Sequence, residues 1–187
     1  MRWREFFTTV ILVGSLLGTA LGATAGEVTR VSNWEEVSQQ LESIALAPID
    51  CRKTPVACDS SMDEMLYQEF RAAWRVRGAV APKVVKQAMF DLGIDRIDGV
   101  TVKPLAEKLG VQAVLIGEAI SFNRDAHDPI GGIGRLPQAK VRLRLVRSDG
   151  TKLLEGERSH AALGGLDFSA ILKPLRVLIK EAFSAKR

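Results

Sequence analysis

The sequence predicts an α/β fold: a single mixed β-sheet flanked by helices, with a C-terminal β-hairpin and a terminal amphipathic helix. Residues 111–122, "VQAVLIGEAISF", are almost continuously apolar, which marks a strand buried on both faces, as at the centre of an α/β sheet. Residues 139–160, "AKVRLRLVRSDGTKLLEGERSH", alternate apolar and polar around Asp149-Gly150, a strong short-range hairpin signal. Residues 169–183 bring Ile171, Leu175, Leu178, Ile179, Ala182 and Phe183 onto one helical face.

The remaining elements follow in order. Ser32-Asn33-Trp34-Glu35 fits the S-x-x-E capping box, and Trp34, Val37 and Leu41 follow at helical spacing, predicting a helix over 33–42. Residues 43–50, "SIALAPID", are a short apolar run interrupted by Pro48, a strand candidate. Ser61-Met62-Asp63-Glu64 repeats the capping box and opens a helix with Met62, Met65, Leu66, Phe70, Ala73 and Trp74 on one face. Arg71, Arg75 and Arg77 crowd its last turns, as the helix dipole favours, and Gly78 stops it. "AVAP" (79–82) is a brief extended piece whose Pro82 starts a helix with Val84, Val85, Ala88, Met89 and Leu92 inward. A short helix over 102–109 ends at Gly110, and Pro174 either starts the last helix or kinks it. The order α-β-α-β-α-α-β-β-β-α, without repeats or a long linker, describes one sheet with helices over it.

The amino-terminal end has a different character. Met1-Arg2-Trp3-Arg4 is basic, residues 6–21 are apolar apart from small residues and threonines, and Ala23-Thr24-Ala25 supplies a small-x-small site before Gly26. These are the three marks of a secretory signal. Residues 1–25 are therefore expected to be a cleaved signal peptide and 26–187 a single α/β domain in the periplasm. An uncleaved amino-terminal anchor is the alternative. No cysteine follows the apolar run, so a lipid-modified amino terminus is not expected. A chain that is 47% hydrophobic and 26% charged is ordinary globular material rather than a disordered one. Removing Arg2, Arg4 and Glu5 lowers the formal charge from +4 to +3, and export argues against nucleic acid as a partner.

The two cysteines, Cys51 and Cys58, bracket "CRKTPVAC". A close pair in an exported chain reads as a structural disulfide. Six intervening residues do not suit a C-x-x-C redox site, and two cysteines with two distant histidines lack zinc-ligand spacing.

A two-residue Asp149-Gly150 turn sets Ser148 opposite Thr151, Arg144 opposite Glu155 and Arg142 opposite Glu157. The other face then pairs Leu145 with Leu154 and Leu143 with Gly156. The basic stripe Lys140, Arg142, Arg144 is thereby mostly self-neutralised, each charge pair contributing a few tenths of a kcal/mol. Glu118 interrupts the apolar strand on the face of Val114, Ile116 and Ile120. A buried carboxylate is costly unless paired. It is expected either to reach Arg142 or Arg144 or to sit where the sheet opens to solvent, rather than to act in catalysis.

"SIALAPID" before a long helix, "AEKLGVQAVLIGEAISF", then a DG hairpin and a closing helix resemble a group of bacterial envelope proteins. The group includes the curli-secretion channel lipoprotein CsgG, the LpoB-like outer-membrane activators of penicillin-binding proteins, and the amino-terminal domain of TolB. The resemblance spans residues 41–183 and rests on segment order and the K-L-G-x-x-x-V-x-x-G pattern from Lys108. It implies a non-enzymatic adaptor that docks onto synthases, channels or other envelope complexes, often at the outer membrane. The departures are the missing acylation cysteine and the 124–138 segment, which is too short, too polar and too glycine-rich to supply a membrane-crossing hairpin.

No nucleophile elbow, helical metal pair or Walker pattern occurs, so no cofactor, metal or catalytic residue is expected. The glycine-rich segment 124–138, "RDAHDPIGGIGRLPQ", lies between strands, is followed by no helix, and lacks GK[ST], so it does not fit a phosphate cradle. His127 beside Asp125 and Asp128 is expected to be solvated loop. The segment reads instead as a partner-contact loop through Arg124, His127, Ile130, Ile133, Arg135 and Leu136. The expected function is docking onto a cell-envelope protein complex serving assembly, secretion or cell-wall synthesis. The alternative is a periplasmic binder of an anionic glycan, lipid head group or small ligand that uses Arg124, Arg135, Lys140 and Arg142.

Overall fold

A computed structural model of the chain describes residues 28–74, 78–126, 136–162 and 167–183. The elements are β1 (Val28–Arg30), α1 (Trp34–Gln40), β2 (Ser43–Leu46), α2 (Ser60–Ala73), β3 (Gly78–Val80), α3 (Pro82–Asp91), α4 (Val102–Leu109), β4 (Ala113–Ala126), β5 (Leu136–Arg147), β6 (Lys152–Ala161) and α5 (Asp167–Phe183). The strands form one six-stranded mixed sheet in the order β1-β6-β5-β4-β2-β3. β2 runs parallel to both β3 and β4, whereas β4, β5, β6 and β1 are successively antiparallel. The α/β class read from the sequence is the class of the fold.

Alternation along the strands divides the sheet into two faces. Ala113, Leu115 and Ala119 of β4 join Val141, Leu143 and Leu145 of β5 beneath α1, α2 and α5. Leu66, Phe70, Leu175 and Leu178 fill the middle of this layer and are completely buried. Phe183 closes it, 4.9 Å from Trp74 and 5.4 Å from Phe70 between ring centroids, both edge-on. Edge-to-face aromatic packing of this kind adds about 1 kcal/mol per pair beyond the area buried. The opposite face is covered over only part of its width: Ala45, Ala47, Val114, Ile116 and Val146 pack beneath α3 and α4 through Val85, Val102 and Leu105. Beyond Val146 that face carries the even-numbered side chains of β5.

Several boundaries differ from expectation. β1 was not anticipated: a three-residue strand carries too little pattern to read, and it exists because its Val28 pairs with Gly156 at the sheet edge. Neither expected capping box forms. Asp59 caps α2, its carboxylate accepting from the Ser61 and Met62 amides at 3.0 Å. Asn33 precedes α1 without a side-chain cap. α5 begins before Ser169 and runs through Pro174, which is buried within it.

The hairpin turn is longer than two residues. The Gly150 amide donates to the Arg147 carbonyl and the Arg147 amide to the Thr151 carbonyl, with Gly150 left-handed at φ +88°. This is a type I turn followed by a glycine bulge, the usual three-residue loop. A second irregularity between Leu145 and Val146 restores the register further along the ladder. Arg144 therefore does face Glu155, Arg142 faces Glu157, Leu145 faces Leu154 and Leu143 faces Gly156, while Ser148 does not face Thr151.

Candidate functional site

The described residues bring most of their unusual chemistry together on the partly covered sheet face. β2 ends at Leu46, two residues before Pro48, but the chain meets β4 again at Asp50: the Asp50 amide donates to Gly117 O and the Ala119 amide to Asp50 O, each at 2.9 Å. This return sets the disulfide loop directly over Glu118. Cys51 and Cys58 are joined, with Cα atoms 5.9 Å apart. Inside the loop Thr54 turns the chain, its amide and hydroxyl both donating to Cys51 O.

Glu118 is 2% exposed. Its Oε1 accepts from Lys53 Nζ at 2.7 Å. Its Oε2 faces Arg144 Nη2 at 3.6 Å and Arg142 Nη1 at 3.8 Å, beyond hydrogen-bond distance. The sequence pointed to the two arginines; Lys53, inside the disulfide loop, is a partner that linear reading missed, because only the crossover at Asp50 brings it there. Arg144 faces Glu155 across the ladder, yet its ion pair is with Glu118. Glu155 is held by Arg142 at 3.6 Å and by Lys152. Glu157 accepts from Arg142 Nε at 2.7 Å and pairs with Lys140 at 2.6 Å. These cations hold the Glu157 carboxyl below the usual carboxylate range, Lys140 and Arg142 being the main causes. The network thus contains five cations (Lys53, Lys140, Arg142, Arg144, Lys152) and three carboxylates (Glu118, Glu155, Glu157). Its surplus is positive, and Lys140 and Lys152 are about half exposed.

Beside the network lies a cavity of ≈ 450 Å³, between the disulfide loop, Met89 of α3, the 95–97 segment and the sheet. Ile116, Glu118 and Arg144 line it from the sheet. Asp50 and Arg52 line another side as a two-pronged ion pair, at 2.9 and 2.7 Å, and Arg52 also donates to Asp95 O. The hydrogen bonds from Arg52 hold the Asp50 carboxyl below its ordinary value. Glu118 Oε2 and Arg144 Nε are buried with no hydrogen-bond partner.

The predicted contact segment is only partly described. Arg124 belongs to β4 and pairs with Asp167 at the start of α5. Leu136 opens β5 and pairs with Ala126. His127, Ile130, Ile133 and Arg135 lie outside the described residues, as does the expected signal at 1–25. Lys140, like Arg124, has a carboxylate partner. His160 lies on the other face, within β6. Burial, with Lys173 and Arg158 as cationic neighbours, pushes its imidazole below the ordinary value, and its Nε2 is buried without a hydrogen bond.

Among the described residues, no group of three His, Cys, Asp or Glu could hold a metal ion. No helix of the described residues is long and apolar enough to cross a membrane.

No protein-family model matches the chain, and no curated protein does. Solved structures do. A PelC dodecamer from Paraburkholderia phytofirmans is 15% identical, with a TM-score of 0.51 over 86% of this chain and 100% of that one. Lipoprotein GNA1162 from Neisseria meningitidis is 16% identical, with a TM-score of 0.52 over 74% of this chain and 95% of that one. The LpoB C-terminal domain from Salmonella enterica is 16% identical, with a TM-score of 0.48 over 69% and 93%. At such identities the likeness is one of fold.

Proposed function

We propose that the chain is an exported, non-enzymatic adaptor that docks onto a protein complex of the cell envelope from the periplasm. One observation carries the reading: helices cover one sheet face fully but the other only as far as Val146, and the remainder presents an ion-pair network with surplus positive charge. A network whose long side chains are already held in place loses little entropy on being covered, and complementary charge steers the encounter. The fitting partner is a protein with an acidic surface. The fold shared with a Neisseria lipoprotein, the resemblance in segment order to envelope adaptors, and the signal-like start support the compartment.

The test is a photocrosslinking residue in place of Gln138, which is exposed beside Lys140 on this strand, in intact cells. One defined envelope protein is expected, captured from this position and lost when Lys140→Glu and Lys152→Glu are added. Capture of nothing, or capture indifferent to charge reversal, overturns the docking face. An anionic glycan bound by the same cations is a distinct outcome, recognised by calorimetry with acidic polysaccharide that weakens steeply with salt.

A further inference from the structure

The cavity and the ion-pair network belong to one surface. The disulfide loop gives Lys53 to the network, while Arg52, Thr54 and Pro55 on either side of it line the cavity. On the sheet, Ile116 of the cavity stands in register with Arg144, which pairs with Glu118 in the network. The two parts differ in character. The network has surplus positive charge, and its Lys53, Lys140 and Lys152 are about half exposed. The formal charges around the cavity cancel instead: Arg52, Arg96 and Arg144 stand against Asp50, Asp95 and Glu118. Pro48, Ile49, Val56, Met89, Ile97 and Ile116 make the rest of its lining mostly apolar. At ≈ 450 Å³ it has room for a phenyl or indole ring.

Charge complementarity governs the rate and orientation of an encounter more than its affinity. Affinity is concentrated in a few large side chains seated in pockets from which water is excluded. An apolar side chain in this cavity meets no net charge, whereas a carboxylate there would lose its water beside Asp50, Asp95 and Glu118. The exposed lysines outside the cavity favour the opposite chemistry, carboxylates. We propose that the cavity is the anchor site of the docking face: the partner is a protein whose acidic segment seats one aromatic or large aliphatic side chain here. Flanking carboxylates of that segment meet Lys53, Lys140 and Lys152. The inference rests on the docking reading and adds to it the contact that sets the affinity.

Crosslinking in intact cells tests it, with a compact diazirine residue in place of Pro55, exposed at the cavity, used alongside the reporter at Gln138. Both positions are expected to capture the same protein. The peptide joined through the Pro55 position is expected to carry an aromatic or large aliphatic residue among Asp and Glu. Ala57→Trp, at an exposed lining position, covers the entrance without touching the core. It is expected to lower capture from Gln138 roughly tenfold or more, while Ala57→Ser leaves capture unchanged. Charge-sensitive capture from Gln138 that is indifferent to Ala57→Trp overturns the anchor and leaves the docking face standing. So does attachment through the Pro55 position to a small molecule, a second copy of this chain or a segment without acidic residues. Capture of nothing from Gln138 removes both readings.

Discussion

Lys53 and Glu118, sixty-five residues apart, meet at 2.7 Å because the chain returns to β4 at Asp50 and sets the disulfide loop over the sheet. The carboxylate is buried and the ammonium is half exposed. Without Lys53, the nearest cations stand at 3.6 and 3.8 Å and make no hydrogen bond.

Lys53→Met should therefore destabilise the fold by about 1–2 kcal/mol, less than for a fully buried pair because the lysine is partly hydrated. Lys152→Met, which removes a surface ion pair with Glu155, should cost under about 0.5 kcal/mol. Urea unfolding of the two variants, read as midpoints at equal slope, gives the comparison. Equal losses would show that the Glu118 pair is no more than another surface contact.

Two glycines separate crowding from simple absence of a side chain. A Cβ on Gly78 would lie 2.7 Å from the backbone carbonyl of Glu42, an atom that cannot swing aside. A Cβ on Gly117 would meet Leu175 and Leu66 side chains at ordinary contact distance, 3.5 Å and beyond. Gly78→Ala should cost roughly 1–3 kcal/mol. Gly117→Ala should be neutral or stabilising by roughly 0.5 kcal/mol, through a less flexible unfolded chain. Thermal midpoints distinguish them directly.

The long elements were legible because each carries a repeated local pattern. β4, β5, β6 and α5 each span ten or more residues, and the partners of Arg142 and Arg144 expected from a two-residue turn hold because the irregularity between Leu145 and Val146 offsets the longer turn. Elements decided by distant contacts were not. β1 depends on the space at Gly156, and the turn depends on a bulge that shifts its ends by one residue without disturbing the ladder beyond. Asp59 displaced Ser61 as cap because a carboxylate two residues earlier reaches the amides of both Ser61 and Met62. At the candidate site, Glu118 announced itself as a charge in an apolar run. The cavity did not, since its lining comes from five separate stretches of chain.

Acid should unfold the protein in two steps. The His160 pKa is lowered from 6.5 by burial and by Lys173 and Arg158. The unfolded chain then binds more protons than the native one below pH 6.5, so this contribution is complete above 6.5 and is lost as pH falls through the lowered value. The carboxyls of Glu157 and Glu69 are lowered from 4.5 by their cationic partners, and their contributions are lost as pH falls below that value. Asp63, raised by burial, works the other way: its contribution is complete below 3.8 and is lost as pH rises through its raised pKa. His160→Gln should flatten the stability profile from pH 6.5 downward while leaving the step below pH 4.5 intact. Denaturation midpoints at half-unit pH intervals test this, and an unchanged upper step would remove His160 as its cause.

The disulfide should stabilise the fold and the Lys53–Glu118 pair together. Closing a loop of this length removes unfolded-state entropy equivalent to about 2–3 kcal/mol at 25 °C. The paired replacement Cys51→Ser with Cys58→Ser should lower stability by about that amount. It should also loosen Lys53, because that residue lies inside the loop the two cysteines close, even though Arg52 beside it is anchored to Asp50 and Asp95. In the serine background Lys53→Met should then cost less than in the oxidised protein, a coupling of about 0.5–1 kcal/mol in a double-mutant cycle. Strict additivity would mean that Lys53 finds Glu118 without the disulfide, and that the crossover at Asp50 alone holds the loop over the sheet.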